Sequence, residues 1–371
     1  MDTLYDLIIV GLGSHGSNCF SHFSGKMRVL GIEQYVSPHT KGSHNGETRI
    51  VREMGYSGEY VEIARRSVEL WKQLQDSTSE QVYVNSGGIL FGNQTDSQFR
   101  DYTQYNNPNL QQLKHQEVES RFPIKTSQDQ QFYFDKSAGF VKPELAIQIF
   151  INQGKAKGGE VINNCRYVNH IYKDDEIHVY TDLGVFRSKK LILSLGMGLK
   201  RLQNTYSSLD IALYKQQVIF LKTDNKKFDQ LPVFMSENNS QEIYGFPRVN
   251  GEVKIGIHHF GPSLEHPDLY DQTKNEEGTV NMIREFLIKY MPELKDAIVS
   301  RIQTCVYTST KDHNFTIDFD PRSKNTIILS ACSGHGFKFC IVMGEIIEEM
   351  FNTGLQKYKT FQLSRFQKPK F

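Results

Sequence analysis

Leu7-Ile8-Ile9-Val10-Gly11-Leu12-Gly13-Ser14-His15-Gly16 is the first patterned stretch of the chain, and Val29-Leu30-Gly31-Ile32 leads from there straight into Glu33. The two runs read as a strand, a glycine turn, a helix and a second strand that ends in a carboxylate. In such a unit Gly11 permits the tight turn, Gly13 lets the backbone approach a pyrophosphate, and Gly16 lets the helix pack close to the sheet. The first turn of the helix then aims free N–H groups at the phosphates, and Glu33 accepts hydrogen bonds from a ribose. A bare G-x-G-x-x-G is weak evidence. The strand before it, the helix after it and the acid about twenty residues on favour dinucleotide binding over a chance glycine turn.

At 371 residues the chain suits two domains, or one large α/β domain with an insertion. Its 43 basic and 42 acidic residues leave a net charge of +1, which argues against nucleic acid or an anionic membrane and for a small molecule as partner. The cysteines Cys19, Cys165, Cys305, Cys332 and Cys340 show neither a Cys-x-x-Cys pair nor metal-ligand spacing. No metal site is expected, and the thiols point to a reducing compartment. No basic leader with an apolar stretch opens the sequence, and no apolar run approaches the roughly twenty residues that cross a bilayer. Lys368-Pro369-Lys370-Phe371 is not a peroxisomal signal, so the cytoplasm is the expected location.

Further along, Ser37 to Gly46 is a polar loop rich in turn formers, of the kind that carries function beside a cofactor site. Ile63, Val68, Trp71 and Leu74 recur at helical spacing and predict an amphipathic helix from Glu59 to about Leu74. Tyr102 to Leu113 reads as helix and loop. Lys189 to Gly196 repeats the strand-then-glycine form and suits a return to the nucleotide sheet. Gln217 to Leu221 and Val253 to His258 read as strands of a second, more antiparallel sheet, and Val280 to Tyr290 as a helix stopped by Pro292. Thr326 to Ala331 is a buried strand, followed by Cys332-Ser333-Gly334-His335-Gly336-Phe337-Lys338 and a helix from about Phe339 to Asn352 with Gly354 as its C-cap. The fold class is therefore α/β (α+β). A Rossmann-type domain built from 1–85, 140–208 and 315–371 is expected to interleave with a substrate domain from 86–139 and 209–314, the latter on a mixed, largely antiparallel sheet.

Arg49 and Arg52 lie three apart, which on a helical turn puts both on one face, although pairing with Glu47 and Glu53 at a surface is the plainer reading. In Val253 to His258, alternation places Lys254, Gly256 and His258 on one face, opposite Val253, Ile255 and Ile257. A cation and an imidazole then share one wall. Lys338 falls in the first turn of the last helix, where the dipole disfavours a cation. Read alone, Cys305 is a small buried hydrophobe, and Lys254, His258, Tyr244 and Lys338 are solvated or hydrogen-bonded structural residues.

Three segments change that balance: Gly42-Ser43-His44-Asn45-Gly46-Glu47-Thr48-Arg49-Ile50-Val51-Arg52, Thr304-Cys305-Val306-Tyr307-Thr308, and Ser333-Gly334-His335-Gly336-Phe337-Lys338-Phe339. They resemble the monomeric sarcosine oxidase and N-methyltryptophan oxidase family, and the resemblance runs nearly end to end. It implies that the dinucleotide is FAD, held by the first domain and joined covalently through a cysteine sulfur, with Cys305 at that position. It further implies Thr48, Gly334, Gly336 and Lys338 against the cofactor, Arg49 beside the flavin ring, and Arg52 with Lys338 on the substrate carboxylate. By the same resemblance Lys254 activates O2, His258 is an active-site histidine, and Tyr244 lines the substrate pocket. The expected reaction is oxidative demethylation of a secondary amino acid of the sarcosine or N-methyltryptophan type, with O2 as second substrate, giving formaldehyde, a primary amino acid and H2O2. A monomer is expected. Oxidation of another secondary amine, such as a cyclic imino acid or a glycated amino acid, is the nearest alternative, and a non-catalytic nucleotide-binding protein is another. Two departures bear on the substrate: Asn45 stands where the family carries a second histidine, and Gly55 to Tyr60 is one residue short and lacks the family's usual acidic residue.

Overall fold

The computed structural model describes residues 3–93, 107–206, 209–238, 241–275 and 277–366. Leu4–Val10 runs parallel to Val29–Ile32 on one side and to Gly184–Leu193 on the other. A strand flanked this way is buried on both faces, which is why Leu7 to Val10 is a continuous apolar run. Glu160–Ile162 extends the sheet beyond Val29–Ile32, and Ser323–Ser330 pairs in parallel with the end of Gly184–Leu193. Thr316–Asp320 and the meander Tyr167–Lys173, Glu176–Thr181 complete eight strands.

Gly11 has φ +90°, and a Cβ on it would lie 2.2 Å from the Ser194 carbonyl oxygen. A Cβ on Gly16 would lie 1.8 Å from the Gly11 carbonyl oxygen, so the helix Ser14–Phe23 seats directly on the turn. That helix packs against Pro143–Ala156 and against the last helix, Met343–Thr353. Asn18 accepts a hydrogen bond from the Gly344 N–H at 3.0 Å, and His15 Nε2 lies 3.3 Å from the Gly336 carbonyl oxygen.

The second sheet has nine strands, in the order Ser263–Leu264, Ile211–Lys222, Glu252–His258, Gln241–Val249, Val233–Asn238, Gly88–Asn93, Gln130–Asp135 and Leu110–Leu113, with Ile298–Thr310 along the other edge of Ile211–Lys222. One pairing, Val233–Asn238 with Gly88–Asn93, is parallel and the others are antiparallel, so the sheet is mixed and largely antiparallel as expected. Val253, Ile255 and Ile257 enter an apolar core with Ile219, Phe234 and Phe286. Lys254 and His258 therefore face the other way. Arg49–Val51, Gly139–Val141 and Tyr83–Val84 form a small third sheet between the two.

Three expectations need correction. Arg49 opens a strand, not a helical turn, because its backbone pairs with Val141. Leu110–Leu113 is an edge strand paired with Gln130–Asp135, and the preceding part of the Tyr102 stretch, up to residue 106, lies outside the described residues. Phe337–Val342 is a 3₁₀ segment ahead of the α-helix Met343–Thr353, so no single helix starts at Phe339. Trp71, on the predicted amphipathic helix Tyr60–Asp76, donates its indole N–H to the Lys338 carbonyl within that 3₁₀ segment at 2.8 Å. Replacing Trp71 with Phe should leave that buried carbonyl unpaired and cost about 1–3 kcal/mol of stability, read as a shifted urea midpoint with an unchanged slope.

Candidate active site

Two cavities meet at Ser43, Cys332 and Phe337. The larger, of about 380 Å³, opens at the carboxyl ends of the parallel strands and is lined by Gly11, Gly13, Ser14, Glu33, Gly196 and Ser330, among others. The smaller, of about 130 Å³, lies between the sheets. Arg49, Arg52, Tyr244, Lys254, His258, Cys305 and Lys338 all line it. Residues from the two ends and the middle of the chain thus converge on one chamber.

In the larger cavity the helix Ser14–Phe23 starts with no side-chain cap, so its first N–H groups are free to bind a ligand. Glu33 sits at the end of Val29–Ile32, and its carboxylate accepts from the Leu12 N–H at 2.8 Å and from the Tyr35 N–H at 3.2 Å, with His39 Nε2 at 3.3 Å. Gly16 lies beneath the turn and does not line the cavity. His44, which lies against Gly13, is held neutral by burial, its pKa pushed down to about 3; His15 is pushed down to about 4 for the same reason.

In the smaller chamber the cations are held by main-chain carbonyls. Lys254 Nζ donates to the Thr48 carbonyl at 2.9 Å and to its hydroxyl at 3.3 Å. Lys338 Nζ donates to the His335 carbonyl at 2.7 Å. Arg49 donates to the carbonyls of Ser43, Thr48 and Asn45, and Arg52 to that of Met54. Glu47 and Glu53, the surface partners considered for the two arginines, pair with Arg301 and Arg65 instead. Among the described residues neither lysine has a carboxylate within ion-pair distance, yet each is only 6% exposed. Burial pushes both ammonium pKa values well down, with Arg49 adding to the effect at Lys254 and Arg52 at Lys338. The solvated-lysine reading fails for both.

Thr48 does not line the cavity; it buttresses Lys254 from behind. Gly334 has φ +77°, and a Cβ there would lie 2.5 Å from both the His258 and Tyr307 rings, so this turn closes down on the chamber. Cys305 is half-buried; burial raises its thiol pKa, and the charges of Arg49 and Lys254 oppose that rise. Tyr244 is raised to about 12 by burial, and His258, hydrogen-bonded through Nδ1 to the Tyr307 hydroxyl at 3.1 Å, is lowered by burial. Some of the lining escaped the sequence reading. Tyr307 follows Cys305 by two residues and so shares its face of the strand, a signal that alternation offers. Cys332 sits where the cavities join, and Glu242 faces the chamber with no motif to mark it.

A glycine-turn cavity at the carboxyl ends of parallel strands, opening into a cation-lined chamber on a second sheet, defines a dinucleotide-dependent enzyme. Residues 6–350 match the FAD dependent oxidoreductase (DAO) family, and the chain belongs to it. Over 95% of its length the chain is 32% identical to monomeric sarcosine oxidase of Bacillus sp. (strain B-0618), covering 94% of that protein. It is 30% identical to N-methyl-L-tryptophan oxidase of Salmonella dublin, over 99% of each chain. L-proline dehydrogenase from P. horikoshii shares the fold, with a TM-score of 0.84, 19% identity and 99% and 98% of the two chains covered.

The residues fit FAD. The uncapped helix suits its pyrophosphate, and Asn45 Oδ1, buried on the chamber wall without a donor of its own, offers an acceptor to a ring N–H. Among the described residues no helix is long and apolar enough to cross a membrane, and no group of side chains is arranged to hold a metal ion.

His15 and His44 are neutral in the fold but gain protons below about pH 6.5 when unfolded. In that range the unfolded state binds more protons, so stability is full above pH 6.5 and is lost as pH falls towards the folded values. Denaturant unfolding at pH 7 and pH 5 should show this decline, and His44→Gln should flatten it.

Proposed function

We propose that this chain is an FAD-dependent oxidase of N-methyl amino acids, acting on a secondary amine whose carboxylate enters the smaller cavity. One observation carries the reading: Arg52 and Lys338 line a small chamber beside Tyr244 and His258, with both donating to carbonyls and Lys338 having no ion-pair partner among the described residues. Such a chamber favours an anion, and a fork-shaped guanidinium orients a carboxylate through two parallel bonds. The two curated relatives act, by their names, on amino acids of this kind.

Bound against the Ser14–Phe23 helix end and Glu33, FAD would supply a two-electron acceptor: the N-methyl C–H would give up a hydride equivalent and the amine N–H a proton to leave C=N, O2 would take up the two electrons and two protons as H2O2, and water would hydrolyse the imine to formaldehyde and the primary amino acid. This chain's residues orient the amine by its carboxylate and exclude bulk water. Lys254 and Arg49 supply positive potential. Burial disfavours the charged Lys254, and a negative charge forming nearby reverses that preference, so the ammonium is strongest when superoxide-like charge develops. His258 and Tyr307 form a hydrogen-bonded pair against the substrate space.

We assign Cys305 as the point of covalent flavin attachment, supported by its place on the chamber wall between the charges of Arg49 and Lys254, which favour the thiolate needed for the bond. The same reading divides the chain into an FAD-binding domain of 1–85, 140–208 and 315–371 and a substrate domain of 86–139 and 209–314.

The test is a panel of sarcosine, N-methyltryptophan, proline and a fructosyl amino acid, scored for peroxide and formaldehyde. Formaldehyde with the first two supports the reading, and peroxide from proline alone overturns it. Acid precipitation should leave the yellow colour in the protein pellet, and Cys305→Ala should move it to the supernatant. Lys254→Met should slow reoxidation by O2 about 10²–10³-fold while anaerobic bleaching by substrate persists, as expected for loss of one charge-stabilising donor.

A further inference from the structure

Tyr56, in the loop Gly55 to Tyr60 that the sequence singles out, places one aromatic ring against two of the chamber's cations. The Arg52 guanidinium carbon lies over the ring at 4.7 Å from its centroid, and the Lys338 ammonium nitrogen lies over it at 5.5 Å. Both separations fall within the ~6 Å at which the negative face of a ring attracts a cation. Phe339 adds a second ring to Lys338, at 5.4 Å. Tyr56 does not itself line the chamber; it backs two side chains that do.

The surrounding chain fixes the ring in that place. Asp135, fully buried, accepts from the N–H groups of Glu53 and Met54 at 3.2 Å each and from the N–H and hydroxyl of Ser137, which fastens the segment directly after Arg52. Gly55 follows with φ +86° and Gly58 with φ +56°, so the loop turns through two left-handed residues that glycine supplies without strain. Between them the Tyr56 ring stacks on Tyr60 at 5.7 Å and meets Phe339 edge-on at 5.1 Å, and its hydroxyl faces His335 Nδ1 at 3.5 Å. Burial pushes the hydroxyl up to about 12, so the ring carries no charge of its own.

Packing on Tyr60 and Phe339 is the plainer role for Tyr56. It accounts for the burial, but not for the convergence of two like charges on one ring. Those charges oppose each other: burial lowers the Lys338 ammonium first, the Arg52 charge lowers it further, and Glu242 offsets part of this through space. A ring attracts both cations through its quadrupole and adds no negative charge that an incoming carboxylate must displace.

We propose that Tyr56 is a positioning residue for the substrate: its ring holds Arg52 and Lys338 side by side against their mutual repulsion, so that both meet one carboxylate. This rests on the reading of the chamber as an amino-acid site. Without the ring the two cations draw apart and the carboxylate is held by one of them, so affinity falls while the chemistry of a bound substrate is unchanged.

The test separates ring electrostatics from ring shape. Methoxyacetate, which has the skeleton of sarcosine with an ether oxygen in place of the amine, and its uncharged amide are titrated by calorimetry into the flavin-loaded protein. Parent and Tyr56→Phe should both favour the acid. Pentafluorophenylalanine at position 56 keeps the shape of Phe and reverses the charge distribution of its ring, and it should weaken methoxyacetate about 3- to 30-fold relative to Tyr56→Phe while leaving the amide unchanged. In turnover, Tyr56→Leu should raise KM for the preferred amino acid by a similar factor with kcat within about twofold, and Tyr56→Phe should restore the parent KM. A preference for the acid that survives fluorination, a loss shared equally by acid and amide, or a Tyr56→Phe as impaired as Tyr56→Leu overturns the proposal and leaves the carboxylate site standing. Equal binding of acid and amide by the parent overturns the carboxylate site, and the proposal with it.

Discussion

Two buried ammonium groups with no carboxylate within ion-pair distance among the described residues dominate this structure. Taking Lys254 and Lys338 out of water costs several kcal/mol each in real proteins, and ion pairing is the usual remedy. Here the remedy is carbonyl dipoles, and each dipole belongs to a segment that must be placed accurately. The Thr48 carbonyl belongs to the end of the glycine-rich loop, so Lys254 fastens that loop to the second sheet. The Ser43 hydroxyl fastens the same loop to Val306 on the strand that carries Cys305. At the other end of the chamber the His335 carbonyl receives Lys338, and the Lys338 carbonyl in turn receives Trp71. Carbonyl dipoles orient the ammonium groups without cancelling their charge. The chamber is left with a positive potential, and an anion that binds there stabilises the fold as well as itself.

How much of this was legible in the sequence depended on whether the governing interaction was local. The opening glycine turn was legible, because strand, turn and helix are neighbours in the chain and Gly16 is set by its contact with Gly11 inside that unit, although the Ser194 carbonyl that crowds Gly11 comes from far along the sequence. The alternation at Val253 to His258 put Lys254 and His258 on the correct face, since a two-residue period needs no tertiary knowledge. Arg49 and Arg52 were grouped correctly for the wrong reason: the chain is extended there, and they share the chamber because Gly139–Val141 pairs with Arg49–Val51. That pairing spans some ninety residues and leaves no local trace. The 3₁₀ segment before the last helix likewise receives a hydrogen bond from Trp71, far away in sequence. Glu242 was invisible because a glutamate on an unremarkable strand acquires meaning only from what stands beside it.

The two cavities divide the labour of the fold. The larger is built from strand ends and a helix terminus, with backbone groups doing most of the recognition. The smaller is built from side chains on two sheets, the two loops that flank them and the start of the Phe337–Val342 segment. Backbone recognition tolerates wide sequence change around a few glycines, whereas a side-chain chamber changes character with each substitution. A fold shared at 19% identity with a proline dehydrogenase fits that division.

The seating of helix Ser14–Phe23 between its own strand and the segment around Gly336 and Gly344 has a consequence for birth on the ribosome. The glycine turn leaves the exit tunnel early, but the strand and turn that finish its cavity emerge only after a further three hundred or so residues. At about 5–20 residues per second that is a delay of roughly 15–65 s. For that interval the nascent N-terminal unit has a phosphate-binding helix end but no enclosed place for a cofactor. Loading must therefore wait until the strand Ser323–Ser330 and the turn after it have emerged, and a nascent chain arrested before Ser330 should emerge colourless.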